Sequence, residues 1–324
     1  MNEIDISSLA ELLTQNDNFV ILSHTNPDGD TVGAGVGLTL LLEKMGKSVK
    51  ALVCDKEIPE YLRFISGSER YVTDFEVGNG DFIVAVDTAS PQMLGSLCEK
   101  FESITDLRID HHEVSTPFAK SNYCVSGASS CCELISDISS VLGVSTPDMA
   151  TALLCGIMTD SGSFRYSSTG ASTHRSAAYL MDAGADLDYI SSSLYESREL
   201  SSLMATSYAV TKMKMRMDGK IAYTVISNAE KEALGLCDAD FSESASLLRQ
   251  IKGVCAALFL RQVTDGEYKL SVRSRECVDS AALCQLFGGG GHARAAGATI
   301  LGSDPEKIME NVIKEVQKQL ENTV

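Results

Sequence analysis

The stretch FVILSHTNPDGDTVG, residues 19–33, places His24, Asp28 and Asp30 directly after the apolar run Phe19–Leu22. Four consecutive apolar residues are typical of a strand that is buried on both faces. The proline and the glycine on either side of Asp28 disfavour a helix there, so we expect the two carboxylates to point toward two different cations. This stretch therefore predicts a parallel strand that ends at a metal-binding crevice.

Three further segments repeat this layout, an apolar run followed by Asp or His: VAVDTA (84–89), LRIDHHE (107–113) and GIMTDSG (156–162). In an open α/β sheet, the ligand crevice lies beyond the carboxyl ends of the strands. So many acidic groups in one crevice would repel one another strongly without cations. We expect four such segment ends to supply His24, Asp28, Asp30, Asp87, Asp110, His111, His112 and Asp160.

The few histidines of the chain are concentrated in unusual segments. The chain has five histidines, of which three lie in the motifs above and a fourth, His292, lies in GGGGHARAAG (288–297). Histidines with only structural roles would not be expected to fall mainly beside aspartate clusters and glycine runs. This distribution favours a functional site at both places.

The four motifs, in this order and at roughly this spacing, resemble the DHH phosphoesterase superfamily, named for the residues that stand here at 110–112. Segment 288–297 resembles the signature of the associated DHHA1 domain. Together the resemblances cover nearly the whole chain. The short two-domain form resembles the nanoRNase and 3′-phosphoadenosine 5′-phosphate (pAp) phosphatase group. Ala34 stands where many relatives have Ser, a departure that involves no ligand.

This resemblance implies a centre of two metal ions. Two divalent ions lower the pKa of a shared water and neutralise charge on the phosphoryl oxygens. Carboxylate and imidazole donors favour two Mn²⁺ per chain, with Mg²⁺ or Co²⁺ as substitutes. By the resemblance, His24 and Asp28 bind one ion, Asp30, His111 and Asp160 bind the other, and Asp87 bridges them.

The resemblance also assigns roles to residues beside the metals. Asp110 would orient an imidazole through a hydrogen bond, and His112 would meet the phosphate or protonate the leaving oxygen. The glycine run lets backbone amides approach an anion, which would be a terminal phosphate or the adjoining nucleotide. The expected substrate-binding residues are Gly289, Gly290, Gly291, His292, Arg294 and Arg273, although ordinary surface charge explains Arg273 equally well.

The order of the elements predicts an α/β protein. Strand-like runs alternate with helical patterns in the first half, which indicates a mostly parallel sheet covered on both faces. Gly33, Gly35 and Gly37 do not match GxGxxG, so we attribute them to close packing of a helix on the sheet. We predict a DHH catalytic domain at 1–190, a helical linker at 191–212, and at 213–324 a smaller α/β DHHA1 domain with a mixed sheet and a hairpin turn at Asp265-Gly266.

Composition limits the partners. The net charge of −17 argues against binding of long nucleic acid, which needs many Lys and Arg contacts to phosphates. Short RNA oligonucleotides or nucleotides remain compatible with this charge.

No apolar stretch is long enough for a bilayer, so we expect no membrane association and a cytoplasmic protein. The 10 cysteines form no CxxC pair and are expected to be reduced. The oligomeric state, including a homodimer, stays open.

The sequence therefore predicts a metal-dependent phosphoesterase that degrades short oligoribonucleotides to mononucleotides and converts pAp to AMP. The alternatives are a cyclic-dinucleotide phosphodiesterase acting on c-di-AMP or pApA, a RecJ-like single-strand exonuclease and an inorganic pyrophosphatase. A nucleotide-sensing protein without catalysis is the alternative of another class, and it would be expected to lack one or more of the metal ligands.

Overall fold

The computed structural model describes residues 2–322, apart from the side chain of His292. The chain divides into two compact units, Met1–Ser197 and Arg198–Val324. The division falls inside the segment predicted as a linker, while the exact domain boundaries stay a prediction. Within residues 2–322 there is no helix long and apolar enough to cross a membrane.

The first unit alternates strands and helices. Its elements are β1 (Asn2–Glu3), α1 (Ile6–Gln15), β2 (Asn18–Leu22), α2 (Gly29–Lys44), β3 (Ser48–Val53), β4 (Tyr71–Val72), β5 (Phe82–Val86), α3 (Cys98–Phe101), β6 (Leu107–Asp110), β7 (Ser121–Cys124), α4 (Cys131–Leu142), α5 (Pro147–Asp160), α6 (Ala171–Asp182) and α7 (Leu187–Ser191). The strands form one seven-stranded sheet in the order β1-β7-β6-β5-β2-β3-β4, and every pair is parallel.

Strand β2 shows why this sheet is buried on both faces. Phe19 and Ile21 belong to the larger apolar core, whereas Val20 and Leu22 belong to a second core on the opposite face. Side chains alternate between the faces of a strand, so a continuous apolar run is what a doubly covered strand requires. The predicted α/β class with a parallel sheet is confirmed.

Two of the motif aspartates are carried by helices. Asp30 lies in the first turn of α2 and not in the expected loop, because Asp28 caps this helix by accepting a hydrogen bond from the Thr31 amide. Asp160 is the last residue of helix α5, so the fourth motif is the end of a helix. Both residues still reach the sheet edge, because α2 and α5 pack directly against each other.

The glycines of α2 serve this helix pair more than the predicted contact of helix with sheet. A Cβ at Gly33 would lie 2.5 Å from the carbonyl oxygen of Ala152, and one at Gly37 would lie 2.3 Å from a methyl group of Leu153. Both neighbours belong to α5. Only glycine permits this approach, which brings the end of α5 to the beginning of α2.

The second unit contains a mixed sheet, as predicted. Its elements are α8 (Leu200–Thr211), β8 (Lys214–Arg216), β9 (Ile221–Ile226), α9 (Asn228–Leu234), α10 (Ser244–Arg249), β10 (Ala256–Thr264), β11 (Glu267–Ser274), α11 (Ser280–Gln285), β12 (Gly290–His292), β13 (Ala295–Leu301) and α12 (Pro305–Glu321). The strand order is β12-β13-β11-β10-β9-β8. Only β9 and β10 pair in parallel among these described strands, and β10 and β11 form the expected hairpin around Asp265-Gly266.

Candidate metal centre

The motif residues of the first unit come together at the carboxyl edge of the parallel sheet. His24 follows β2, Asp87 follows β5, and His111 follows β6 directly. These three strands are neighbours in the sheet, so their ends open into the same crevice. The N-terminus of α2 and the C-terminus of α5 add their aspartates to it.

Three groups of three potential ligands can be distinguished there, and in each group one donor atom from every side chain lies within 4.8 Å of the others. The first group consists of His24, Asp28 and Asp87, and the second of Asp30, His111 and Asp160, while a third, Asp87, His111 and His112, overlaps both. In the second group, His111 Nε2 lies 3.7 Å from Asp30 Oδ2 and 3.5 Å from Asp160 Oδ2. The structure thus brings together all six residues predicted to bind metal.

Asp87 stands between the first two groups. Its Oδ2 lies 3.4 Å from Nε2 of His24, and its Oδ1 lies 3.5 Å from Nε2 of His111. Oδ1 is buried and has no hydrogen-bond partner among the described residues. The residue also has a φ of +52°, a left-handed conformation that costs energy outside glycine and often marks functional sites. A strained, buried carboxylate with an unsatisfied oxygen fits a cation bridge.

The electrostatics of the cluster also suit the binding of cations. Burial and the charge of Asp87 raise the pKa of Asp30 well above its usual value. Burial also raises the pKa of Asp160, to about 6. Burial alone would lower the pKa of His111, but Asp87 and its neighbours raise it to about 10. Burial opposes the ionised form of Asp87, yet His111 and His24 hold its pKa well below the ordinary range. Carboxylates crowded in this way are the donors that divalent cations stabilise.

The other two residues of the third motif, Asp110 and His112, are hydrogen-bonded to each other. Asp110 is fully buried, and its Oδ1 accepts a hydrogen bond of 2.7 Å from Nδ1 of His112. His112 Nδ1 lies 3.7 Å from Oδ1 of Asp87. Asp110 therefore orients an imidazole at the edge of the cluster, and that imidazole is the one of His112.

Sequence reasoning missed two residues of this centre. The hydroxyl of Thr31 lies 2.5 Å from His24 Nε2 and 2.6 Å from Asp87 Oδ2. Arg108 is only 1 % exposed, and its Nη1 lies 2.8 Å from Oδ2 of Asp110. No sequence pattern pointed to Thr31. Arg108 could have been noticed, because it interrupts the apolar run LRID and lies on the same strand face as Asp110.

In the second unit, the glycine-rich segment forms a tight hairpin. Strand β12 pairs antiparallel with β13, and a Cβ at Gly289 would lie 2.1 Å from the carbonyl oxygen of Gly297. Gly290 pairs with Gly297, and Gly291 has a φ of +139°. Close approach of two backbones is thus one reason for the glycines. The side chain of His292 lies outside the described part of the structure.

The two predicted arginines lie near this hairpin. Arg294 is exposed, and its Nη1 donates to the carbonyl oxygens of Arg275 and Val278, each at 3.1 Å. Arg273 is half-buried on β11, pairs with Ala295 of β13 in the strand register, and donates to the hydroxyl of Ser246. The two guanidinium groups contact different segments of the unit, Ser246 in the case of Arg273 and the stretch 275–278 in the case of Arg294.

Comparison with known proteins agrees with this architecture. Residues 18–157 match the model of the DHH family N-terminal domain, and residues 218–322 match that of the DHHA1 domain. A bifunctional oligoribonuclease and PAP phosphatase, NrnA, from Thermus thermophilus is 30 % identical over 93 % of this chain and 89 % of its own length. The cyclic-di-AMP phosphodiesterase PdeA of Listeria monocytogenes is 28 % identical over 97 % of this chain and 48 % of its own length.

A solved structure extends the likeness to three dimensions. The crystal structure of an exopolyphosphatase-related protein from Bacteroides fragilis superposes with a TM-score of 0.90, at 26 % identity, over 98 % of this chain and 97 % of that protein. Both family models and the fold thus agree, and the chain belongs to the DHH/DHHA1 family of phosphoesterases, hydrolases that act on phosphate ester bonds.

Proposed function

We propose that this protein hydrolyses short oligoribonucleotides to mononucleotides and converts pAp to AMP. The observation that carries this proposal is the position of Asp87, whose two carboxylate oxygens face two separate groups of ligands. Paired metal sites that share one carboxylate suit the attack of water on a phosphate ester. The named activities of the NrnA relative from Thermus thermophilus support the choice of substrates.

The proposed metal content is two Mn²⁺ per chain, with Mg²⁺ or Co²⁺ as substitutes. The donors are carboxylate oxygens and imidazole nitrogens with no thiolate, a set that Mn²⁺ binds readily. When bound, such a pair of ions lowers the pKa of a water molecule and neutralises charge on the phosphoryl group. His24, Asp28 and Asp87 would hold one ion, and Asp30, His111 and Asp160, together with Asp87, would hold the other.

The chain's own residues would then position the substrate and transfer the proton. His112, held through Nδ1 by Asp110, is proposed to protonate the leaving oxygen. Gly289, Gly290, Gly291, His292 and Arg294 are proposed to bind a second phosphate or the adjoining nucleotide, with Arg273 as a further candidate. A guanidinium fixed by two carbonyl acceptors, as in Arg294, is suited to a phosphate.

Hydrolysis of a cyclic dinucleotide is the second candidate. It is favoured by the likeness to the cyclic-di-AMP phosphodiesterase PdeA, which extends over 97 % of this chain. A long single-stranded nucleic acid is a poorer substrate for a chain with a net charge of −17, since its binding depends on many cationic contacts.

The test is an initial-rate comparison in the presence of Mn²⁺. The substrates are a 5′-phosphorylated RNA dinucleotide, a long RNA, single-stranded DNA, pAp, cyclic di-AMP and pyrophosphate, with Asp87→Asn as the inactive control. We expect the dinucleotide or pAp to be hydrolysed fastest. Faster hydrolysis of cyclic di-AMP would establish the second candidate, and absence of activity on every substrate would overturn both.

A further inference from the structure

Arg108 is a charged residue in the interior of the first unit. It lies on β6, an interior strand of the sheet, and is 1 % exposed. Its Nη1 donates to Oδ2 of Asp110 over 2.8 Å, and its Nε donates to Oδ1 of Asn122 on the adjacent strand β7 over 3.0 Å. An arginine costs several kcal/mol to bury without such partners, so its presence here calls for a reason beyond packing.

The same guanidinium reaches the turn that follows Asp87. Nη1 lies 3.3 Å from the carbonyl oxygen of Thr88 and 3.4 Å from that of Ala89. Asp87 itself has a left-handed backbone, which persists only where the surroundings hold it. Arg108 therefore connects the turn after the bridging carboxylate to the Asp-His-His motif on the next strand.

The contact with Arg108 also determines how Asp110 uses its two oxygens. Oδ2 is taken by the guanidinium, and Oδ1 accepts the hydrogen bond from Nδ1 of His112 at 2.7 Å. Asp110 is fully buried, so its carboxylate has no solvent to turn toward. A fixed carboxylate fixes the ring of the imidazole that it binds, which leaves Nε2 as the nitrogen directed away from Asp110.

We infer that Arg108 is a positioning residue for the leaving-group step, acting through Asp110 on His112. This inference rests on the proposed phosphoesterase function. In that step a water molecule releases one proton to solvent and its oxygen bonds to phosphorus, while the bond from phosphorus to the leaving oxygen breaks and its electron pair stays on that oxygen. The leaving oxygen takes a proton from Nε2 of His112, and this nitrogen later regains a proton from solvent. Without Arg108, Oδ2 of Asp110 loses its guanidinium partner, the carboxylate is free to turn, and His112 is no longer held in the position for this transfer.

The experiment compares two phosphodiester substrates whose leaving groups differ in their need for a proton. One is the 5′-phosphorylated RNA dinucleotide, whose leaving ribose oxygen needs a proton. The other is a p-nitrophenyl ester of a nucleoside 5′-phosphate, whose leaving group departs as a stable anion. Arg108→Met is expected to slow the dinucleotide by about 10²- to 10⁴-fold and the ester by less than about tenfold. Arg108→Lys should also slow the dinucleotide more than the ester, but by a smaller factor.

His112→Gln is the matched comparison. It is expected to reproduce the selective loss, and the double variant with Arg108→Met should lose little more than either single variant, because both act on one step. Binding of Mn²⁺, measured by calorimetry, shows whether each variant keeps its metal centre. If Arg108→Met does not fold, the same substrate comparison on Arg108→Lys decides.

Equal losses on both substrates would overturn the inference and leave Arg108 with a structural role. So would an Arg108→Met enzyme that cleaves the dinucleotide at the wild-type rate. A wild-type protein that cleaves neither substrate would instead overturn the proposed function, so that the two failures can be told apart.

Discussion

The hydroxyl of Thr31 donates a hydrogen bond of 2.6 Å to Oδ2 of Asp87, and both side chains are buried. The hydroxyl oxygen of Thr31 also lies 2.5 Å from Nε2 of His24 and 3.2 Å from Oδ1 of Asp28. One hydroxyl therefore contacts all three side chains of the first group of ligands. In the described structure Thr31 makes no such contact with the second group, so its hydroxyl holds the side chains of only one of the two candidate metal sites.

Replacement of Thr31 by valine should weaken one of two metal-binding events. Valine keeps the shape but removes the hydroxyl that holds Asp87 and His24, and loss of such support lowers metal affinity by about 10- to 100-fold. Calorimetric titration of the metal-free protein with Mn²⁺ measures both events separately. Thr31→Ser keeps the hydroxyl and should bind both ions nearly as the wild type does. Two unchanged affinities in Thr31→Val would contradict the assigned role.

The parts of this centre that follow apolar strands were predictable, because four or five consecutive apolar residues leave few alternatives to a buried strand. His24 and Asp87 belong to this class. Edge strands such as Tyr71–Val72 are only two residues long and carry no periodic signal. Their pairing depends on neighbours distant in sequence.

Arg108 illustrates a different limit of sequence reasoning. Arginine side chains are mostly exposed, and only the fold shows that Asp110 and Asn122 supply the partners of this buried one. Asp160 was predicted as a member of the cluster, although a short apolar run before an aspartate looks the same at the end of a strand and at the end of a helix such as α5. Residue types were therefore more predictable than the elements that carry them.

Removal of the guanidinium of Arg294 should affect substrate binding more than turnover. If Arg294 contacts a phosphate that does not react, Arg294→Ala should raise KM for the dinucleotide by about 10- to 100-fold and leave kcat nearly unchanged. Steady-state kinetics on the dinucleotide measures both constants. Arg216→Ala is a suitable control, because Arg216 lies on the edge strand β8 with its side chain 43 % exposed. An unaltered KM in Arg294→Ala would remove this residue from the substrate site.

The contact between α2 and α5 should tolerate no side chain at Gly33. A Cβ there would lie 2.5 Å from the backbone oxygen of Ala152, which cannot move without displacing the helix. Gly33→Ala should lower the free energy of unfolding by about 1–3 kcal/mol, measured by urea denaturation. At Gly127 no atom lies within 4 Å of the added carbon, so Gly127→Ala should change stability by less than about 0.5 kcal/mol. Equal stabilities of the two variants would contradict the packing argument.

Glu230 should contribute stability that depends on pH. Burial alone would raise its pKa, but the ammonium of Lys212 and hydrogen bonds from Ser227 and Tyr208 lower it to about 2. Because the folded pKa lies below the unfolded value, this stabilisation is complete above about pH 4.5 and is lost as the pH falls toward 2.

Glu230→Gln should therefore be less stable than the wild type by about 1–2 kcal/mol at neutral pH, and the difference should shrink as the pH falls below about 4.5. Urea denaturation at a series of pH values measures this difference. Glu232→Gln, an exposed carboxylate on the same helix, provides the matched control and should remain close to the wild type throughout. A Glu230→Gln deficit that stays constant down to pH 3 would show that Glu230 stabilises the fold through its shape and uncharged hydrogen bonds, and not through its charge.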